Sequence, residues 1–168
     1  ALPISNESEF VIGTTNCETG KPQYFRRSDY GEELLTAIRA SSSLPFVAPI
    51  VNFFGHELLD GGISDPVPFQ QAERDGYKKN VVILTRNRGY MKKPSRFSYF
   101  VKRKYPQYPQ LYNALKNRYL HYNQTMAELE EKERRGEVII IQPQEPLQVS
   151  RIEKKPVKLD ALYQQGYR

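Results

Sequence analysis

The stretch Leu58-Leu59-Asp60-Gly61-Gly62 sets a carboxylate at the end of a short apolar run and follows it with two glycines. A carboxylate at a strand end can serve as a general base, because strand ends in α/β sheets are where reacting groups gather. The paired glycines permit positive φ and a close approach of backbone to whatever lies opposite. The same residues also suit a plain turn, in which the aspartate caps the strand and does no chemistry. His56 precedes Asp60 by four residues and, in an extended strand, shares its face. No second histidine or carboxylate cluster has ligand spacing around it, and His121 sits beside Tyr119 and Tyr122, so both read as surface or boundary residues and no metal site is implied. Cys17 is the sole cysteine, which rules out an intrachain disulfide, a cysteine-based zinc cluster and a redox pair. A reducing, cytoplasmic setting fits that usage.

A second kind of chemistry is written between Arg86 and Lys104. Eight basic residues stand there without one acid: Arg86, Arg88, Lys92, Lys93, Arg96, Lys102, Arg103 and Lys104. Tyr90, Phe97, Tyr99, Phe100 and Tyr105 are interleaved with them. Cations neutralise phosphates and aromatic rings settle at an interface, so this text suits an anionic membrane surface or a nucleic-acid backbone. It also suits a solvated loop with its rings folded under. No ribonucleoprotein motif, zinc-finger spacing or helix-turn-helix pattern is present, so nucleic acid is not expected as a partner. The wider balance agrees: residues 1–75 hold 5 Lys and Arg against 11 Asp and Glu, whereas residues 76–168 hold 20 against 8. An anionic partner belongs to the second half.

The elements that must carry these residues follow from periodicity. Ser8 to Thr15 is β-branched and apolar and stops at the turn chemistry of Asn16 to Pro22, after which Gln23–Arg26 can return as a hairpin partner. Leu34, Leu35 and Ile38 recur at helical spacing, predicting a helix from about Gly31 to Ala40. Pro45 and Pro49 make the next stretch a loop with a short strand or turn. His56–Leu59 reads as a brief strand and Pro66–Arg74 as a helix with Asp65 placed to cap it. Asn80–Thr85 is a continuous apolar run bounded by charge, the pattern of a strand buried on both faces of a parallel sheet. Leu111 to Arg135 lacks Gly and Pro and spaces its apolar residues three or four apart, predicting a long amphipathic helix. Val138–Gln142 is a further strand, and Leu159, Leu162 and Tyr163 predict a short last helix. With 168 residues and 39% hydrophobic content the chain can bury a core, and its apolar runs fall far short of the roughly 20 residues that cross a bilayer. Neither a spanning segment nor an export signal is legible.

Taken together, Ile38-Arg39-Ala40-Ser41-Ser42-Ser43-Leu44-Pro45, then Asp60-Gly61-Gly62-Ile63-Ser64-Asp65-Pro66-Val67-Pro68, then the Val81–Leu84 strand resemble the patatin-like phospholipases. Thr14 to Pro22 looks like that family's strand and turn ahead of its serine-rich segment, and residues beyond Leu84 look like the C-terminal region of bacterial members. The resemblance implies an α/β fold of three layers, a mostly parallel sheet between helices. It also implies serine-dependent hydrolysis of acyl esters in lipids, with a Ser-Asp dyad and no metal or organic cofactor. Asp60 matches the dyad aspartate and general base, and Gly61 and Gly62 shape its turn. Ser41, Ser42 and Ser43 match a loop near the site and carry no assigned chemical role. The family's nucleophile lies in Gly-x-Ser-x-Gly, upstream of everything matched, and no such motif occurs in these residues. Gly62-Ile63-Ser64-Asp65-Pro66 has a proline in place of the last glycine, so Ser64 reads as a turn serine.

The chain therefore reads as the C-terminal part of a patatin-like protein, residues 1–85 being the later half of the catalytic core and residues 86–168 a basic, helical region packed on the same domain. Taken alone it is expected to be inactive. Its expected partners are a phospholipid or other acyl ester as substrate, an anionic membrane in peripheral contact, the missing N-terminal half, and a second copy through exposed strand edges. The rival reading is a non-catalytic module that docks on anionic membrane, or on RNA, through residues 86–105.

Overall fold

Val11–Asn16 (β1) and Pro22–Arg26 (β2) pair antiparallel, with Ile12 opposite Phe25 and Thr14 opposite Gln23, as the turn text between them predicts. The protein is seen here in a computed structural model, which describes residues 8–95, 97–149 and 153–167. These fall into two compact units, one running to Pro68 and resuming over Lys92–Thr125, the other comprising Phe69–Met91 and the residues from Met126 onward.

In the first unit the β1–β2 turn is tied by Asn16, whose carbonyl accepts the Gly20 N–H at 2.8 Å and whose Oδ1 accepts the Thr19 N–H at 3.0 Å. Gly20 has φ +64 and lies against the Gln110 backbone, so a side chain there is excluded on both counts. Val51–Phe53 (β3) and His56–Asp60 (β4) form a second hairpin around Phe54 and Gly55, at φ +47 and +78. Two positive φ values in succession mark the tight turn whose twist suits a hairpin. Phe54 is an unusual residue for that conformation; its ring meets those of Phe53 and Tyr30 at 4.7 and 5.0 Å between centroids. Such ring pairs contribute roughly 0.5–1.5 kcal/mol each, enough to offset the strain of about 1–2 kcal/mol.

β4 runs antiparallel along the free edge of β1, Thr14 facing Asp60 and Thr15 facing Leu59. The sheet order is β2-β1-β4-β3 and every pairing is antiparallel. This corrects the expectation of a mostly parallel main sheet. Both hairpin connections are too short for the crossover that parallel strands need, and the second is hidden in the sequence because Phe54 carries no turn signature.

Between the hairpins lie Arg27–Tyr30 (α1), a 3-10 turn over Gly31–Glu33, and Leu34–Ser41 (α2). The helix predicted from Gly31 to Ala40 is thus regular only from Leu34. Leu34, Ala37 and Ala40 face inward and pack with Ile12, Phe25, Phe53 and Leu58 on one side of the sheet. Leu59, one residue on, points the other way, into a cluster with Cys17, Ile63, Val101, Tyr108 and Leu111. Val101 belongs to Phe97–Lys104 (α4) and Leu111 to the start of Pro109–Arg134 (α5). Helices therefore cover both faces of this sheet, the layered α/β arrangement expected.

The second unit holds Phe69–Arg74 (α3), Asn80–Ile83 (β5), the later part of α5, Val138–Ile141 (β6) and Pro156–Tyr167 (α6). β5 and β6 pair in parallel, Val81 opposite Ile139 and Ile83 opposite Ile141. Burial on both faces is not found: Val82, Leu84 and Val138 are buried, whereas Val81, Ile83, Ile139 and Ile141 are exposed, Ile83 by 74%. A two-stranded sheet alternates its side chains between two faces, and here only one is covered. Lys132 links α5 to α3 through Glu73 at 2.8 Å. Among the described residues no helix is long and apolar enough to cross a membrane.

Candidate active site

Asp60 ends β4 and caps a single 3-10 turn over Gly61–Ile63. Its Oδ1 accepts the Gly62 N–H at 2.7 Å, which holds the carboxylate over the turn. No partner for Oδ2 occurs among the described residues, and the side chain is only partly buried. Four contacts fix its backbone and that of the two residues after it. The Asp60 N–H donates to the Ser43 carbonyl at 2.9 Å, and the Asp60 carbonyl accepts the Thr15 hydroxyl at 2.8 Å. Gly61 is buried against the Gly13 carbonyl, where a Cβ would collide with main chain. The Gly62 carbonyl accepts Arg118 Nε at 2.5 Å.

Thr15 is fully buried. A hydroxyl offers one proton and two lone pairs. Its proton goes to the Asp60 carbonyl, so the lone pairs receive the Ser64 hydroxyl at 2.8 Å and the Ser64 N–H at 3.2 Å. Ser64 is thereby a turn serine, as its sequence context predicts. Its neighbour Asp65 accepts the Tyr24 hydroxyl through Oδ2 in a short hydrogen bond.

The three serines expected to line the site stand differently. Ser41 ends α2, and the hydroxyls of Ser42 and Ser43 donate back to the carbonyls of Ile38 and Arg39 at 3.1 and 2.8 Å. They finish the helix, and only the Ser43 carbonyl reaches Asp60. His56 is exposed at the β3–β4 turn and His121 is exposed on α5.

Beneath the sheet, burial first, and then the charges of Glu57 and Glu18, push the Cys17 thiol up to about 12. Tyr108 donates to Glu57 at 2.5 Å, and that hydrogen bond, with burial, raises its phenol to about 12. Neither group is prepared for chemistry near neutrality.

The basic residues divide between the units. In the second, Arg86 lies over the Tyr90 ring at 4.9 Å and Arg88 pairs with Glu133 at 2.9 Å. In the first, Lys92 is held by Asn123, which accepts its N–H at 2.8 Å and donates to its carbonyl at 3.0 Å. Lys93 is exposed, as are Lys102, Arg103 and Lys104 at the end of α4, where sequence predicted only a basic stretch. Lys102 also borders a cavity of about 290 Å³ lined by Tyr105, Tyr108 and Tyr112. Arg96 lies outside the described residues.

Sequence reading missed Thr15 and Arg118. Thr15 sits in a strand whose β-branched text accounts for it without a further role. Arg118 is one cation among many on a polar helix, and nothing local marks it.

Residues 6–73, the part that carries Asp60, match the family model of the patatin-like phospholipases. Residues 108–168 match a different model, described as a domain of unknown function (DUF6363). The uncharacterized protein YjjU of Escherichia coli (strain K12) is 45% identical over 65 residues. That alignment takes in 38% of this chain and 18% of the relative, so the chain spans a small part of the protein it resembles.

Proposed function

We propose that Asp60 is the general base of a serine-dependent acyl-ester hydrolase whose nucleophilic serine stands on a Gly-x-Ser-x-Gly segment outside these 168 residues. The observation that carries the reading is the state of the carboxylate: Oδ1 is oriented by Gly62 and Oδ2 remains available to a serine hydroxyl. The patatin-like match over the same residues supports it. In the reaction, the serine Oγ attacks the ester carbonyl carbon while its proton passes to Asp60 Oδ2. Collapse of the tetrahedral intermediate breaks the C–O bond, and the leaving alkoxide takes that proton from Asp60. Water then attacks the acyl-enzyme, with Asp60 again accepting the proton and returning it to the serine. The oxyanion must be met by N–H donors outside these residues, each contributing about 3–4 kcal/mol. The substrate is a phospholipid or another acyl ester.

Asp60→Asn in the full-length gene product is the test, since asparagine keeps the acceptor for Gly62 and removes the base. Hydrolysis of an acyl ester should fall by orders of magnitude while the melting temperature holds. Activity unaffected by the substitution refutes the assignment.

A second role is favoured by α4, where Phe100 is 60% exposed beside exposed Lys102, Arg103 and Lys104. This helix end supports peripheral contact with anionic lipid. Sedimentation with phosphatidylserine vesicles but not phosphatidylcholine vesicles, lost on reversing those three charges, is the expected result; equal binding to both refutes it.

A further inference from the structure

The main chain of Gly62 is held at both ends. Its N–H orients Asp60 Oδ1 at 2.7 Å, and its carbonyl accepts Arg118 Nε at 2.5 Å. A Cβ on Gly62 would lie 3.0 Å from Asp60 Oδ1 and 3.2 Å from Arg118 Nη2, so carboxylate and guanidinium border the same side of this residue. The peptide that carries the Gly62 N–H is anchored through the Gly61 carbonyl, which accepts the Asp65 N–H at 2.9 Å, and the next peptide, which carries the Gly62 carbonyl, is held by the arginine from α5. A planar guanidinium is suited to this, because its donors are fixed in a fork and lose little freedom on binding.

The N-terminal part of α5 is built to hold that arginine still. Leu111 is fully buried among Cys17, Leu59 and Ile63, and Ala114 and Leu115 pack against the same cluster. Tyr108, just before the helix, is tied to Glu57 of β4 at 2.5 Å. Arg118 lies one turn beyond Leu115, so the face that seals the sheet also aims the guanidinium at the Asp60 turn.

We propose that Arg118 is a positioning residue for Asp60, and that the region matching the domain of unknown function braces the catalytic turn of the patatin-like part. The proposal rests on the reading of Asp60 as the base. Without the brace the Gly62–Ile63 peptide is free to turn and the backbone of Gly62 loosens on that side, so its N–H meets Asp60 Oδ1 less constantly and the carboxylate presents Oδ2 to the serine in a smaller fraction of molecules. Such a loss lowers kcat and leaves ester binding alone.

The experiment measures p-nitrophenyl butyrate hydrolysis by the full-length gene product carrying Arg118→Met, Arg118→Lys or Asp60→Asn. For Arg118→Met, kcat should fall by roughly 10- to 100-fold with KM moving less than about 2-fold. Arg118→Lys should recover part of the loss, since it keeps a cation on the same stem and lacks Nε. Wild-type kcat in Arg118→Met overturns the brace, as does a fall in kcat matched by a loss of folded protein that lysine does not relieve. If methionine prevents folding, Arg118→Lys decides alone, and wild-type kcat in it is fatal to the idea. Asp60→Asn separates the two readings: full activity there removes the base assignment and the brace with it. Inactivity there, beside unimpaired Arg118→Met, removes the brace only.

Discussion

Thr15→Val tests the backbone scaffold of the Asp60 turn with almost no change in shape. The threonine hydroxyl is fully buried and spends its whole valence, donating to the Asp60 carbonyl at 2.8 Å and accepting from Ser64 Oγ at 2.8 Å and Ser64 N at 3.2 Å. Valine removes all three contacts. The Ser64 N–H keeps a second acceptor in the Gly61 carbonyl at 3.2 Å, and its hydroxyl is partly exposed, so those groups are not stranded. The Asp60 carbonyl loses a buried donor, at about 1–3 kcal/mol, and the paired hydroxyls lose about 1 kcal/mol more. The expected destabilisation is therefore about 2–4 kcal/mol. Thr15→Ser keeps the hydroxyl and sheds one buried methyl, for about 1 kcal/mol. Urea unfolding of both variants, combined with Ser64→Ala in a double-mutant cycle, measures the network directly. Equal costs for valine and serine, or no coupling to Ser64, refutes the argument that the hydroxyl organises this turn.

Gly61→Ala should be worse than its one methyl implies: the added Cβ meets the Gly13 backbone, so β1 and β4 must part, at about 1–3 kcal/mol or more, visible as a lowered urea midpoint. A midpoint equal to wild type counts against the close approach. Cys17, buried and with its thiol raised to about 12, should resist a maleimide at pH 8 in the folded protein and react fully in guanidinium, as read from the mass of its peptide. Rapid labelling under native conditions contradicts this. Tyr108 has its folded value raised above the ordinary 10 to about 12, so the Glu57 contact contributes its full stability below pH 10 and loses it as pH climbs toward 12. Tyr108→Phe should flatten the fall in stability over that window, and an unchanged slope would show that another group governs it.

The Asp60-Gly61-Gly62 turn was legible because its requirements are local: a strand end, a short carboxylate and two residues without side chains. The β1–β2 hairpin, α2 and the long helix were legible for the same reason, each written in a period or a turn signal. The direction of the main sheet was not. Its second hairpin turns on Phe54, whose positive φ is stabilised by rings of Phe53 and Tyr30, a tertiary effect that no dipeptide pattern reports. Burial of β5 was misjudged because an apolar run states what a strand could cover and not what covers it. Arg118 escaped notice because its partner is a backbone carbonyl 56 residues away, and a backbone acceptor leaves no trace in residue type.

Antiparallel pairing also explains how a lone aspartate can be held so firmly. Because β4 returns along β1, Asp60 faces Thr14 across the ladder, which brings the Thr15 hydroxyl to the Asp60 carbonyl and the Gly13 carbonyl against Gly61. One strand thus secures two consecutive residues of the turn. Ser43, two residues past the end of α2, contributes its carbonyl to the Asp60 N–H, and α5 contributes Arg118 to the Gly62 carbonyl, so these two groups are held from opposite faces of the sheet. Every one of these contacts acts on backbone, and only the Gly62 N–H touches the carboxylate itself. A side chain restrained this way keeps one oxygen fixed and one available, the division of labour that a general base requires.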